Sequence, residues 1–276
     1  MLVGSFFTML STRILDRALS LDGVLAAFFS FVIACGVTVA SARAETRSFL
    51  VDRTGDGKVT VMGFGDSITF GVGDDEERPI DDRGYLPRLA GYLGVSVLNQ
   101  GVPGEELVGP GELRFVQTLR DSAADVVIVA EGSNDAVLQT SRSAMRRAFQ
   151  RVVNVGRALG RQVVVGTVPI PVAEHESIAP FTAEYSAIIR AIAEANQVPL
   201  LDTERMWRST CGAIPSCRLL NLPEGLHPNE VGYTAIAQLA GATLHGVDPF
   251  RRDASGEIAS LLGITRGQVV ILPDEG

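Results

Sequence analysis

Lysine is nearly missing from the 276-residue sequence, where it occurs once, as Lys58. The 24 Lys and Arg residues are outnumbered by 32 Asp and Glu, which gives a net charge of −8 and an isoelectric point near 5.0. A general nucleic-acid binder needs a clustered basic face that displaces counterions from phosphates, so this balance argues against nucleic acid as a partner. Internal repeats and low-complexity linkers are also lacking. Hydrophobic residues make up 46% of the chain, enough for a sizeable core, which excludes a disordered protein.

Cysteine and histidine are scarce, with three of each. Cys211 and Cys217 are close in sequence and lack clustered histidines, so they do not form a zinc site. In an exported protein such a pair predicts a disulfide, with two free buried thiols as the alternative.

The N-terminal segment has the features of an export signal. Arginines precede an apolar run at residues 24–40, and the small residues Ala42 and Ala44 follow it. This pattern predicts a signal peptide at residues 1–44, cleaved after Ala44, and a secreted or periplasmic protein without stable membrane insertion. Two alternatives stay open: a retained anchor, because the run is barely long enough to span a bilayer, and lipidation at Cys35, which ends a lipobox-like stretch.

Residues 45–276 alternate short, apolar β-branched runs with longer segments of helical spacing. This alternation predicts a parallel sheet with helices on both faces. We predict buried strands at 58–64, 95–99, 125–131, 162–168 and 199–202, and helices at 85–93, 112–121, 143–159, 180–196 and 229–244. The simplest interpretation is one domain over residues 45–276, in which residues 253–276 are an extension that the pattern does not place.

Four chemically distinctive residues follow predicted strands. Ser67 follows the first, in Gly-Asp-Ser, and by itself could be a nucleophile or merely a helix N-cap. Gly101 and Asn134 follow the second and third strands, and His227 lies on a turn before the last predicted helix. Ligands bind at the carboxyl ends of parallel strands, so we expect these residues to converge. His227 would activate Ser67, while the Ser67 N–H, the Gly101 N–H and the Asn134 amide would hold an oxyanion, as acyl transfer requires.

Taken together, these segments resemble the SGNH (GDSL-type) hydrolase family. The matching blocks are Gly65-Asp66-Ser67, Gly101, Gly132-Ser133-Asn134-Asp135 and His227, in family order. The resemblance implies a three-layer α/β/α sandwich with a five-stranded parallel sheet. It also implies a Ser–His esterase mechanism without metal or organic cofactor.

One position departs from the family pattern. The family has an aspartate three residues before the histidine, and here that residue is Glu224. A carboxylate there would orient the imidazole and stabilise the imidazolium. We expect a Ser67–His227–Glu224 triad; a Ser–His dyad and an inactive enzyme are the alternatives, because the extra methylene shifts the carboxylate.

The leading hypothesis is a secreted, monomeric serine esterase acting on a small-molecule or glycan ester: an arylester, a lysophospholipid, a thioester or an O-acetylated polysaccharide. The acidic segment Val72–Gly84 is expected to be a solvated loop, with a cation site or a gate beside the active site as the alternative. Its acidic residues would disfavour anionic substrates, which favours neutral esters or acetylated sugars. A catalytically silent glycan- or lipid-binding module is the main alternative. A flavodoxin-type phosphate loop at Gly63–Gly73 is a third, and it would require a bound yellow chromophore.

Other polar and aromatic residues receive simpler interpretations. We expect His175 to be an exposed loop residue, with a contact at the pocket rim as the alternative. Asp135 is expected to brace the Asn134 loop, with a role as a base as the alternative. We expect Met206 and Trp207 to pack in the core, with stacking on the substrate as the alternative.

Overall fold

The computed structural model describes residues 48–211 and 217–271. The strands in these ranges are β1 (Thr60–Gly65), β2 (Ser96–Gly101), β3 (Val126–Ala130), β4 (Gln162–Gly166) and β5 (Leu200–Leu201). The α-helices are α1 (Ser67–Phe70), α2 (Tyr85–Leu93), α3 (Glu112–Arg120), α4 (Ser133–Val137), α5 (Arg142–Ala158), α6 (Ala179–Asn196), α7 (Thr203–Cys211), α8 (Glu230–Leu244) and α9 (Ala254–Leu262). Short 3-10 turns lie at Ile80–Asp82, Ala173–Ile178 and Arg266–Gln268, and a π-turn at Leu107–Gly111.

The five strands form one sheet in the order β2-β1-β3-β4-β5, and every pair is parallel. The chain runs from β1 to β2 at one edge and then returns past β1 to β3. This reversal places a crevice at the carboxyl ends of β1 and β3, where open α/β sheets bind ligands. Because Gly65 pairs with Ala130, the segments that follow β1 and β3 start side by side.

The core lies on both faces of the sheet. Successive strand residues point to opposite faces, so Val126 and Ile128 pack on one side while Val127 and Val129 pack on the other. Helices α2, α7 and α8 cover the first face, and α3, α5 and α6 cover the second. The expected three-layer α/β/α sandwich with a five-stranded parallel sheet is therefore confirmed.

The prediction that every strand is buried on both faces is wrong for β2. Every residue of β2 is at least partly exposed to solvent, because this edge strand has a neighbour on one side only. At the other edge, β5 is reduced to two residues.

The C-terminal extension packs on α8. Helix α9 contributes Ile258 and Leu262 to an apolar cluster with Ala242, and the buried Gln238 binds the backbone of Gln268 and Val270. Helix α7 was not predicted, but its Met206 and Trp207 are fully buried, as expected of packing residues.

The N-terminal prediction cannot be compared with the fold. The expected export signal at residues 1–44, its cleavage site after Ala44 and the alternative lipidation site Cys35 lie outside the described residues. Within the described ranges, no helix combines the length and the apolar character needed to cross a bilayer.

Candidate active site

Ser67 is the first residue of α1, directly beyond the carboxyl end of β1. Asp66 caps this helix, because its carboxylate accepts the Ile68 N–H at 2.9 Å. Gly65 permits the tight turn: a Cβ there would lie 2.3 Å from the Ala130 carbonyl oxygen on β3. Ser67 itself is 8% exposed, so its hydroxyl is at the base of the crevice rather than on an open surface.

Ser67, His227 and Glu224 form a continuous hydrogen-bonded chain. The Ser67 Oγ lies 2.8 Å from His227 Nε2, and His227 Nδ1 lies 2.9 Å from Glu224 Oε1. This is the geometry in which an imidazole accepts a hydroxyl proton while a carboxylate fixes its tautomer and balances its charge.

The carboxylate of Glu224 is held by its own turn. Its second oxygen accepts the backbone N–H groups of Leu226 at 3.0 Å and His227 at 2.9 Å. Partial burial raises the pKa of Glu224, but these two N–H groups and the nearby imidazoles outweigh burial and leave the pKa below its usual value. The longer side chain therefore reaches His227 as an ionised group, despite the departure from aspartate.

Asn134 lies on α4, beyond the carboxyl end of β3, on the neighbouring side of the crevice. Its side-chain Nδ2 donates to the Glu105 carbonyl at 2.8 Å, which leaves the second amide hydrogen for a ligand. Asp135 braces this region, as expected, because its buried carboxylate accepts the N–H groups of Leu107 and Val108.

Gly101 does not offer the free N–H that the sequence suggested. Its N–H donates to the Asn99 side chain at 2.9 Å, and a Cβ at Gly101 would lie 2.2 Å from the Phe70 nitrogen. Close packing of β2 against α1 is thus what requires glycine there. Three residues later, Gly104 has φ +82° and open space around it, and its N–H has no partner among the described residues.

Glu105 and Arg114 form a support that sequence reasoning missed. The Arg114 guanidinium donates hydrogen bonds to both carboxylate oxygens of Glu105 and to the Gln100 carbonyl. It also lies 4.0 Å above the centre of the Phe64 ring of β1. It therefore fixes the loop whose carbonyl orients Asn134. Arg114 lies on α3, far from any motif, so the sequence gives no signal of this contact.

Two carboxyl groups are buried behind the crevice, around a cavity of about 20 Å³. Burial raises the pKa of Asp66 to about 6, although the Ile68 N–H acts in the opposite direction. Burial also raises the pKa of Glu131 well above its usual value, and the charge of Asp66 adds to the effect. Neither oxygen of Glu131 has a hydrogen-bond partner among the described residues.

The acidic segment 72–84 is not wholly a solvated loop. Asp75, Glu76 and Asp81 are exposed, as expected, but the Asp74 side chain is fully buried in an ion pair with Arg88. The expectation that the whole segment is too acidic to be buried is therefore wrong at Asp74, because a guanidinium and backbone N–H groups compensate its charge.

The expectation that His175 is an exposed loop residue is also wrong. This residue is partly buried, and its Nδ1 lies 2.7 Å from the Glu224 carbonyl oxygen. Cys211 and Cys217 are joined by a disulfide. Within residues 48–211 and 217–271, no group of three or more His, Cys, Asp and Glu side chains is arranged to hold a metal ion.

Comparison with known families extends the interpretation of this site. Residues 64–235, more than half of the chain, match the sequence model of the GDSL-like lipase/acylhydrolase family. The matched region contains Ser67, Asn134, Glu224 and His227. No curated protein is similar enough to this sequence to count as a match.

Solved structures share the fold at low sequence identity. An α/β hydrolase, LAE5, from the metagenome of Lake Arreo is 18% identical, with TM-score 0.59, covering 70% of this chain and 97% of its own. The lipase/acylhydrolase from Enterococcus faecalis is 21% identical, with TM-score 0.53 and coverages of 68% and 96%. A catalytic mutant of Axe2, an acetylxylan esterase from Geobacillus stearothermophilus, is 17% identical, with TM-score 0.55 and coverages of 70% and 95%. At these identities the likeness concerns the fold alone.

Proposed function

Because the chain belongs to the GDSL-like lipase/acylhydrolase family, and is thereby a carboxylic ester hydrolase, we propose that it works through a Ser67–His227–Glu224 triad. The observation that carries this proposal is the pair of contacts on His227: 2.8 Å from Nε2 to the Ser67 hydroxyl and 2.9 Å from Nδ1 to the Glu224 carboxylate. A histidine so placed has one nitrogen free to accept a proton and the other held as a donor.

In the first half of the reaction, Ser67 Oγ attacks the ester carbonyl carbon while His227 Nε2 takes the hydroxyl proton. The tetrahedral intermediate collapses, the bond to the alcohol breaks, and His227 returns that proton to the departing alcohol oxygen. An acyl group is then covalently bound to Ser67. Glu224 stabilises the transient imidazolium, and its lowered pKa keeps it ionised for this role.

In the second half, His227 takes a proton from water, and the hydroxide attacks the acyl carbon. Collapse of this intermediate breaks the bond to Ser67 Oγ, which recovers its proton from His227, and the carboxylic acid is released. The enzyme returns to its starting state with one water consumed. No step draws on a metal or an organic cofactor.

Both tetrahedral intermediates carry a negative oxygen, which needs hydrogen-bond donors. We assign the Ser67 N–H and the free amide hydrogen of Asn134, each worth about 10²–10³ in rate in such sites. For the third donor we replace the sequence-based choice, Gly101, with Gly104, because the Gly101 N–H is occupied by Asn99 while the Gly104 N–H has no partner among the described residues.

The substrate class follows from charge and from the neighbours of the fold. The exposed acids of the 72–84 loop would repel strongly anionic substrates, which favours neutral esters or O-acetylated sugars. The structural neighbours include proteins named acetylxylan esterase and lipase/acylhydrolase, which is compatible with either class. The alternative of a catalytically silent binding module rested only on glutamate replacing aspartate at position 224. This replacement no longer supports it, since Glu224 contacts His227 despite the extra methylene.

Export to the periplasm or the medium is part of the proposal. The N-terminal pattern at residues 1–44 supports it, and so does the disulfide between Cys211 and Cys217, since disulfides persist in oxidising compartments. Lipidation at Cys35 or a retained anchor would leave the same domain at the membrane surface.

The test is a series of p-nitrophenyl esters, from acetate to palmitate, offered to the purified protein and to its Ser67→Ala variant. We expect ester cleavage that Ser67→Ala abolishes without a change in melting temperature, and labelling of Ser67 by a fluorophosphonate. Equal rates in both proteins would refute Ser67 as the nucleophile. Labelling without turnover on any p-nitrophenyl ester would direct the search to acetylated glycans, with acetate release as the readout.

A further inference from the structure

The loop after β4 binds the turn that carries Glu224 at three successive carbonyl groups. The Val172 N–H donates to the Gly225 carbonyl at 2.8 Å, and the Glu174 N–H donates to the Pro223 carbonyl at 3.3 Å. Between them, His175 Nδ1 lies 2.7 Å from the Glu224 carbonyl. Each carbonyl of the turn from 223 to 225 therefore has a donor from this loop.

His175 is the only side chain among these three donors. Since a carbonyl oxygen can only accept, Nδ1 must carry the hydrogen in this contact. The same nitrogen lies 3.5 Å from Glu224 Oε1, the oxygen that contacts His227. One ring nitrogen thus lies next to both the backbone and the carboxylate of a single residue.

Glutamate needs more restraint than aspartate in this position. It has one more rotatable bond, and fixing a side chain costs conformational entropy that its contacts must offset. The backbone N–H groups of Leu226 and His227 hold one carboxylate oxygen, and the ring of His227 holds the other. These contacts act only if the turn itself is fixed, and the loop at 172–175 fixes it.

We propose that His175 is a positioning residue for the reaction: it holds the turn of Glu224 so that the longer carboxylate stays within reach of His227 Nδ1. This inference rests on the proposed function, because it requires Glu224 to orient His227 during catalysis. His175 exchanges no proton with the substrate. Its effect is transmitted through Glu224, so replacing His175 should lower kcat and leave substrate binding, measured as KM, nearly unchanged.

The experiment compares His175→Ala with His175→Asn in the full chain. Asparagine places Nδ2 where histidine has Nδ1, so it keeps the donor while removing the ring. We expect His175→Ala to lower kcat by about 10- to 100-fold, the usual cost of an ångström-scale misplacement, with KM within about twofold of wild type. His175→Asn should recover most of the rate. The rate of fluorophosphonate labelling of Ser67 should follow kcat.

His245→Ala is the matched control. His245 makes the same kind of contact, from Nδ1 to the Gly241 carbonyl at 3.0 Å, at the end of α8 and outside the catalytic arrangement. Its removal should leave kcat unchanged. The melting temperatures of both alanine variants show whether they are folded at the assay temperature. A reduced kcat of His175→Ala supports misplacement of Glu224 only if that variant is folded.

A second background separates the two proposals. In a Glu224→Gln protein the group to be positioned is gone, so adding His175→Ala should cost little more. If Glu224→Gln alone keeps the wild-type rate, the triad itself is wrong. If Glu224→Gln is slow but His175→Ala is not, only the role of His175 is overturned. A rise in KM alone would also overturn it and would identify a contact with substrate instead.

Discussion

Asp74 and Arg88 form a buried, two-pronged ion pair that ties the loop after α1 to helix α2. The distances are 2.5 Å from Nη1 to Oδ2 and 2.9 Å from Nη2 to Oδ1, and the Gly84 N–H adds a third contact to the carboxylate. Burial raises the pKa of Asp74, but Arg88 and the N–H groups outweigh it and the net pKa is lowered. Asp74 directly follows Gly73, whose carbonyl accepts a hydrogen bond from the Asn221 side chain next to the His227 turn.

Asp74→Ala should destabilise the protein by about 3 kcal/mol, because the buried Arg88 guanidinium then keeps only the more distant carboxylate of Glu230, at 3.9 Å, as its counter-charge. Glu76→Ala removes an exposed acid from the same loop and should change stability by less than about 0.5 kcal/mol. Urea unfolding at pH 7 measures both. Equal effects of the two substitutions would contradict the buried ion pair.

Glu224→Asp tests whether the turn has been built around the longer side chain. Aspartate is shorter by a methylene, so we expect it to lose either the contact with His227 Nδ1 or those with the Leu226 and His227 N–H groups, all of which Glu224 makes. We expect kcat to fall roughly 10- to 100-fold with little change in KM. A gain in kcat on a p-nitrophenyl ester would show that the aspartate of the family pattern is better here too.

Asn134→Ala should lower kcat by about 10²–10³, because the developing oxyanion loses one donor, while KM changes little. Gln139→Ala, at an exposed position just beyond the end of α4, is the control and should keep the wild-type kcat. Steady-state kinetics on one ester is sufficient. A loss confined to KM would assign Asn134 to substrate binding rather than to the transition state.

The parts of this site that were predictable are those carried by motifs at strand ends. Ser67, Asn134 and His227 converge because the segments that carry them follow parallel strands, and the alternation of strands and helices along the chain predicts that the strands are parallel. Gly101 was misassigned because the sequence does not show that its N–H would be taken by Asn99.

The contact of His175 was not predicted because its partner is 49 residues away, and a histidine on a loop has no periodicity that reveals a contact. The contacts of Arg114 could not be predicted for the same reason, because only the folding of the chain brings Arg114 next to Glu105 and Phe64.

Glu131→Gln should make the pH dependence of stability shallower and leave the part that comes from Asp66, whose pKa burial raises to about 6. The folded-state pKa of Glu131 is raised by burial, so its stabilising contribution is complete below the unfolded pKa and is lost as pH rises. Above the pKa of the unfolded chain, the unfolded chain releases this proton while the folded chain retains it, which costs about 1.4 kcal/mol per pH unit until the folded pKa is reached. Asp74 and Glu224 have lowered pKa values and act only at more acidic pH.

Chemical denaturation at pH 5, 6 and 7 measures this slope in wild type and Glu131→Gln. Glu194→Gln, at an exposed position of α6, is the control and should run parallel to wild type. If the free energy of unfolding of Glu131→Gln has the same pH dependence as that of wild type, Glu131 is ionised in the folded protein.

Gly225→Ala should damage both stability and catalysis. Gly225 has φ +79°, and a Cβ there would lie 2.2 Å from the Val172 carbonyl oxygen, so alanine meets both a strained backbone and a collision. Gly263 at the end of α9 has φ +66° with nothing within 4 Å, and Gly263→Ala isolates the backbone strain, about 1–2 kcal/mol. We expect Gly225→Ala to lose clearly more stability than this and, in the fraction that stays folded, to lower kcat, because the collision pushes the Glu224 turn away from the loop that holds it. Equal losses in the two variants, with kcat unchanged, would mean that the turn can move without disturbing His227.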